Sequence, residues 1–278
     1  MNFTHAVAPL YSVCGFVGGL LVEMTGVGGG SLLTPLLILL FGVHPATAVG
    51  TDLLYAAATK TGGSLVHGLA RRIDWKVVRR LAAGSVPSTV LTLLLLSRFD
   101  IRGAGMRDLI TTVLSVALFV TAGLLIFRNT LLAFATVPAA ELSATRTARL
   151  TVLSGVVLGV LVSISSVGAG AIGVTFLTLL YPRFPLARIV GSDIAHAVPL
   201  TLVAGMGHWM LGSIDWHIFG SLLVGSLPGI FLGSYLSARI AELALRIILA
   251  LTLTLAGGKL ALDQIQNHLS ILISSPSQ

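Results

Sequence analysis

Charge is what this 278-residue chain has least of: Asp, Glu, Lys and Arg make up 10% of it, against roughly 25% in an ordinary soluble domain. Three stretches carry none of the four: Met24–Thr51, Leu150–Pro182 and Trp216–Ala238. With 55% hydrophobic residues and a mean hydropathy of +0.98, this scarcity excludes a soluble globular enzyme, a disordered chain and a coiled coil. Cysteine is nearly absent too. Cys14 stands alone, which excludes an intramolecular disulfide and a Cys-based metal cluster. No Lys or Arg precedes Lys60, so the N-terminus lacks the basic region of a cleavable signal peptide and its first apolar segment is expected to stay. The net charge of +7 points away from nucleic acid here, because Lys and Arg in a membrane protein collect in cytoplasmic loops.

What is present is long apolar runs. Backbone in hydrocarbon must satisfy its own hydrogen bonds, so spanning segments are helices or closed barrels. A barrel would alternate apolar and polar residues, and these runs do not. Charges, Gly and Pro delimit segments near 6–24, 31–42, 46–68, 77–97, 107–127, 149–167, 171–182, 186–209, 217–238 and 243–262. Two of them, 31–42 and 171–182, fall short of the roughly 20 residues a span needs. Each follows a glycine-rich break, at 25–30 and 167–173. The expected fold is an all-α integral membrane protein of eight to ten segments in one membrane domain.

Shifting the chain by 141 positions exposes an internal repeat. Val49-Gly-Thr-Asp52 falls on Val190-Gly-Ser-Asp193, His67 on His208, Ile73-Asp-Trp75 on Ile214-Asp-Trp216, and Gly84-Ser85 and Pro87 on Gly225-Ser226 and Pro228. One residue of adjustment pairs Gly28 and Gly30 with Gly168 and Gly170. Residues 1–128 form the first repeat, 129–149 a cytoplasmic linker, and 150–278 the second. The loop around Arg71, Arg72, Lys76, Arg79 and Arg80 is strongly basic, whereas its counterpart at 209–217 has no Lys or Arg. Equivalent loops therefore prefer opposite sides, which is the mark of inverted repeats. Alternation places twelve basic residues inside against Arg98, Arg102 and Arg107 outside, with both termini outside.

Inverted repeats with broken helices describe a secondary transporter whose substrate binds near the midplane, at the breaks. Gly26, Gly28, Gly29 and Gly30 let backbone approach a ligand, and a helix starting near Ser31 would offer its N–H groups to an anion. The second break offers Ser165, Ser166, Gly168 and Gly170. Buried charge is costly in a membrane and marks function. Asp52, Lys60 and His67 fall within about 80° of one another on a helical wheel, with Tyr55, Thr59 and Gly63. Asp193, His196, Thr201 and His208 form the matching stripe, so Lys60 is not duplicated. Lys60 is the candidate cation for a bound anion, or else a partner for Glu23 or Asp52. Glu23, Asp52, His67, Asp193 and His208 are candidates for proton coupling or gating. The plainer alternatives are helix caps for Asp52 and Asp193 near their helix starts and interfacial hydrogen bonds for the two His. The Ile-Asp-Trp triplets read as capped helix starts with an interfacial Trp.

Gly26-Val-Gly-Gly-Gly30, Pro35, Pro45-x-x-Ala-Val-Gly-Thr51, His67 and Ile73-Asp-Trp75, with Gly168-Ala-Gly170, Val190-Gly-Ser-Asp193 and Gly225-Ser-x-Pro228 in the second half, resemble the TauE/SafE family of membrane anion exporters over roughly 10–262. The resemblance implies export of small anions such as sulfite or organosulfonates, coupled to protons, from a bacterial-type inner or plasma membrane. Partners are then the anionic substrate and the lipid bilayer, with a homodimer as a candidate assembly and no nucleic acid; no cofactor, metal or catalytic residue is expected. Ala169 and Ala171 depart from the first glycine motif. An anion channel and a membrane-embedded enzyme using His and Asp are the alternatives. A two-His site shared by His67 and His208 is the form the enzyme would take.

Overall fold

A computed structural model describes residues 3–25, 30–69, 71–139, 143–237 and 242–274. Ten helices cover them: α1 (Phe3–Thr25), α2 (Gly30–Phe41), α3 (Pro45–Leu69), α4 (Trp75–Leu96), α5 (Ala104–Ala139), α6 (Ala144–Ser165), α7 (Ala171–Leu180), α8 (Leu186–Met210), α9 (Trp216–Ser237) and α10 (Glu242–Ser274). They follow the ten apolar segments in order, with α5 and α10 each running twelve residues past the expected end. The described residues contain no strand. Six of the helices are long and apolar enough to cross a membrane, and the shorter α2 and α7 are apolar as well. The fold is that of a multi-pass membrane protein. The 129–149 connection is largely helical, since α5 runs on to Ala139 and α6 begins at Ala144.

Helix starts are set by the expected chemistry. Asp74 Oδ1 accepts from the amides of Lys76 and Val77 at the head of α4 (3.0 and 3.2 Å). Its repeat partner Asp215 does the same for His217 and Ile218 at the head of α9 (2.9 and 3.0 Å). Trp75 and Trp216, next in each triplet, are exposed.

The two halves interlock rather than sit side by side. α1 packs on α9, and α6 packs on α4, so each half's first helix lies against the other half's fourth. The pairs α3–α8 and α5–α10 are each made of two repeat-equivalent helices. Small residues make the exchange tight. A Cβ on Gly155 of α6 would strike the carbonyl of Leu81, and one on Gly15 of α1 would strike that of Leu222, the residue equivalent to Leu81. Without a hydrophobic drive between helices in lipid, this backbone proximity is what holds them.

Hydrogen bonds repeat the symmetry. The Asp74 amide donates to Ser192 Oγ (2.8 Å), and the Asp215 amide donates to Thr51 Oγ1 (3.1 Å). Each bond ties the start of a fourth helix to the third helix of the other half.

α8 fixes the direction. Its start lies beside α4's start, where Arg188 pairs with Asp74 at 2.8 Å. Its end lies beside Gly212, whose carbonyl accepts from Arg102 at 3.1 Å. With 25 residues at 1.5 Å each, α8 separates these points by about 37 Å. Loops 71–80 and 209–217 therefore lie at opposite ends, as inverted repeats require.

The short helices complete crossings. α6 leaves the basic end, and after Ser166 (φ 59°), Gly168 (φ 127°) and Gly170 (φ 130°) the chain turns back as α7. Those left-handed values are where glycine costs least. α7 ends at Tyr181, whose hydroxyl lies 2.9 Å from Thr151 Oγ1 near the start of α6 and accepts from Arg80 at 3.3 Å. The bend and α7 together thus recross the bundle, although α7 has only 10 residues.

Candidate substrate site at the helix break

Four ionisable groups are buried where α3, α7 and α8 meet: Asp52 (0% exposed), Lys60 (7%), Asp193 (1%) and His196 (0%). Asp52 lies seven residues after Pro45, and Asp193 seven after Leu186. Both carboxylates are therefore inside their helices, and the cap alternative is overturned.

Asp52 Oδ2 accepts two hydroxyl bonds, from Thr34 Oγ1 on α2 (2.6 Å) and Ser166 Oγ in the second break (3.0 Å). Its Oδ1 is buried without a partner. Two hydroxyl donors to one oxygen stabilise a charge that hydrocarbon would otherwise reject. Lys60 Nζ donates to the carbonyl of Ala169, again in the second break (3.1 Å). Among the described residues it forms no ion pair within 4 Å, yet its charge acts on both Asp52 and Asp193. The expected alternative of a direct Lys60–Asp52 bridge is therefore not what the structure holds.

Asp193 is placed differently from its repeat partner. No hydrogen bond reaches it among the described residues, and Oδ1 is buried and unpartnered. It is pressed against Gly173 in the first turn of α7, where any Cβ would overlap its carboxylate. The α7 amides ahead of Gly173 have no intrahelical acceptor. One turn further along α8, His196 Nε2 lies 2.8 Å from Ser85 Oγ, and His196 Nδ1 has no partner.

The structure brings together Asp52, Lys60, Asp193, Ser166 and the break around Gly168 and Gly170. Ser165 lies in the same break, but its hydroxyl is spent on Leu161 O (2.8 Å) and on the Val167 amide (3.2 Å). The two other histidines do not join. His67 is half-buried in the last turn of α3, before the basic loop. His208 is at the far end of α8, where Nδ1 meets Ser213 Oγ and Nε2 meets Ser163 O, both at 2.9 Å. Parallel same-face positions on inverted helices lie at opposite ends, so a shared two-His site does not form. Among the described residues no cluster of His, Cys, Asp or Glu could hold a metal.

Gly26, Gly28 and Gly29 lie outside the described residues, as do the side chains of Glu23 and Ser31; Gly30 is described only as the first residue of α2. Sequence reasoning missed Thr34 and Ser85, and gave His196 a place on the stripe without a role. Ser85 carried one signal, its repeat partner Ser226.

Comparison with known proteins now adds to this geometry. The model of the sulfite exporter TauE/SafE family matches residues 11–260. The chain belongs to that family. Among its relatives, a probable membrane transporter protein of Bacillus subtilis, YjnA, is 38% identical over 247 residues, covering 88% of this chain and 96% of the relative. A second from B. subtilis, YdhB, is 27% identical over 248 residues, covering 87% and 95%. A probable membrane transporter protein of Methanocaldococcus jannaschii is 24% identical over 266 residues, covering 90% and 93%. No solved structure matches the chain significantly. As a TauE/SafE protein it is a membrane transporter.

Proposed function

We propose that this TauE/SafE protein is a secondary transporter that exports small anions, of the sulfite or organosulfonate class, with protons as the coupling ion. The observation that supports this best is Lys60: a buried ammonium held by the Ala169 carbonyl, with no carboxylate in direct contact among the described residues. An ammonium in hydrocarbon needs an anion close by. The head of α7, with its free amides, lies in the same break and adds partial positive charge. Backbone donors read charge rather than shape, which suits a class of anions. The substrate would lie between Lys60 and the break at Ser166–Gly170.

Proton coupling rests on Asp52 and Asp193, the two titratable groups beside this cation. His67 and His208, toward opposite ends of the bundle, would act as gates, and Glu23 is a further gating candidate. The basic end, with Arg71, Arg72, Lys76, Arg79 and Arg80, would face the cytoplasm. Alternating access would then exchange the interlocked halves around the central α3–α8 pair.

A thermal-shift screen tests this reading. Sulfite, organosulfonates, thiosulfate, sulfate and carboxylates are added in turn to the parent, to Lys60→Met and to Gly29→Leu. A bound ligand stabilises by RT ln(1 + [L]/Kd). Stabilisation of the parent by a sulfur oxyanion, lost in Lys60→Met, is the expected result. If both variants respond as the parent does, the anion sits elsewhere.

A further inference from the structure

The two repeat-equivalent carboxylates are not chemically equivalent, and the difference assigns them separate tasks. Among the described residues the buried cluster holds Asp52, Asp193 and a single Lys or Arg, Lys60. The second half has Thr201 where the first has Lys60, and His196 where the first has Tyr55. With both carboxylates ionised the cluster would carry a net negative charge on groups that are almost wholly buried. Such a charge is not sustained; a proton is taken up instead. The question is which carboxyl receives it.

Asp52 is equipped to stay ionised. Its Oδ2 accepts hydrogen bonds from the hydroxyls of both Thr34, on α2, and Ser166, in the second break. Asp193 has none of this. No donor reaches it among the described residues, Oδ1 is buried and unpartnered, and the carboxyl is wedged against the Cα of Gly173 at the head of α7. The charged group that acts on it is Lys60 from α3; His196 lies one turn along its own helix, its imidazole against Ser85 of α4.

We infer that Asp193 is the proton-carrying residue of the site: at neutral pH its carboxyl is protonated while Asp52 remains a carboxylate, held by the hydroxyls of Thr34 and Ser166. The inference rests on the transport reading only for its consequence. A protonated Asp193 leaves the cluster neutral and the first turn of α7 free of a competing negative charge, so an anion can enter. Loss of the proton to the aqueous side, by breaking the Asp193 O–H bond, restores a net negative cluster and expels the anion. Proton and anion are then bound together, and the direction of net flux follows the sum of their two gradients.

Infrared spectroscopy of the purified protein tests the assignment without any ligand. The parent at pH 7 should show the C=O stretch of a protonated carboxyl, shifted in D2O. Asp193→Asn should lose the amplitude of one carboxyl, and Asp52→Asn should keep it. Asp193→Glu should move the band rather than abolish it, which guards against a variant that merely misfolds. A parent without the band, or a band that vanishes in Asp52→Asn and survives in Asp193→Asn, overturns the inference. Sulfite flux in proteoliposomes separates this from the transport reading. Flux that no longer responds to a pH gradient in Asp193→Asn supports the coupling role, and flux that keeps the parent's response overturns it. No flux even in the parent counts against the proposed function, and leaves the infrared result to decide the proton's place.

Discussion

At the scale of single residues, the site depends on groups that cannot be exchanged for their nearest chemical relatives. Thr34 Oγ1 lies 2.6 Å from Asp52 Oδ2, a short bond of the kind made to a charged acceptor. Thr34→Val keeps the shape and removes the donor. It should cost about 1.5–3 kcal/mol, the usual worth of a hydrogen bond to a charged group, read as a lower unfolding temperature of the detergent-purified protein. An unchanged unfolding temperature would mean Asp52 is not ionised. Lys60→Met should weaken anion binding at least about tenfold, or roughly 1.4 kcal/mol, measured by equilibrium titration with sulfite. Much of this site was legible in advance: a wheel projection is enough to put Asp52, Lys60 and Asp193 on buried faces. It could not say how deep a residue lies relative to its neighbours on another helix. His67 and His208 share the stripes in angle, but stripes run the length of the helix, and inversion sends their ends apart. Thr34 gave no signal because its role exists only when α2 meets α3. The carbonyl of Ala169 has no side chain to read.

At the scale of helices, the exchange of α1 and α6 between the halves rests on backbone contact. Gly155 faces the Leu81 carbonyl, which has no flexible end to move aside. Gly155→Ala should therefore destabilise strongly, by about 1–3 kcal/mol as overpacking does. Gly220, on α9, has open space where a Cβ would stand, and Gly220→Ala should be neutral or slightly stabilising. The comparison of the two by thermal unfolding isolates packing from helix propensity, because both sites are helical. Equal effects would contradict the close-packing account. Helix boundaries were legible because Asp74 and Asp215 cap where the triplets begin and because prolines and glycines punctuate the apolar runs. Which helix lies against which was not legible, since the interlocked arrangement depends on small residues that look alike wherever they occur.

At the scale of the whole molecule, the inverted repeat sets the topology. It was legible because basic residues are distributed so unevenly between equivalent loops, and α8 carries that asymmetry across the bundle. In a Cys14→Ser background, Lys76→Cys and His217→Cys place single thiols on exposed residues at the two ends. An impermeant thiol reagent added outside intact cells should label position 217 and spare 76 until the membrane is opened. Labelling of both from outside would end the inverted arrangement. The central claim is that a buried anion site at Lys60 serves a carrier, and sulfite counterflow in proteoliposomes tests it most directly. Vesicles loaded with unlabelled sulfite should transiently accumulate labelled sulfite against its concentration when they hold the parent, and should not when they hold Lys60→Met. Simple equilibration without overshoot by the parent, or an overshoot that Lys60→Met preserves, would contradict it.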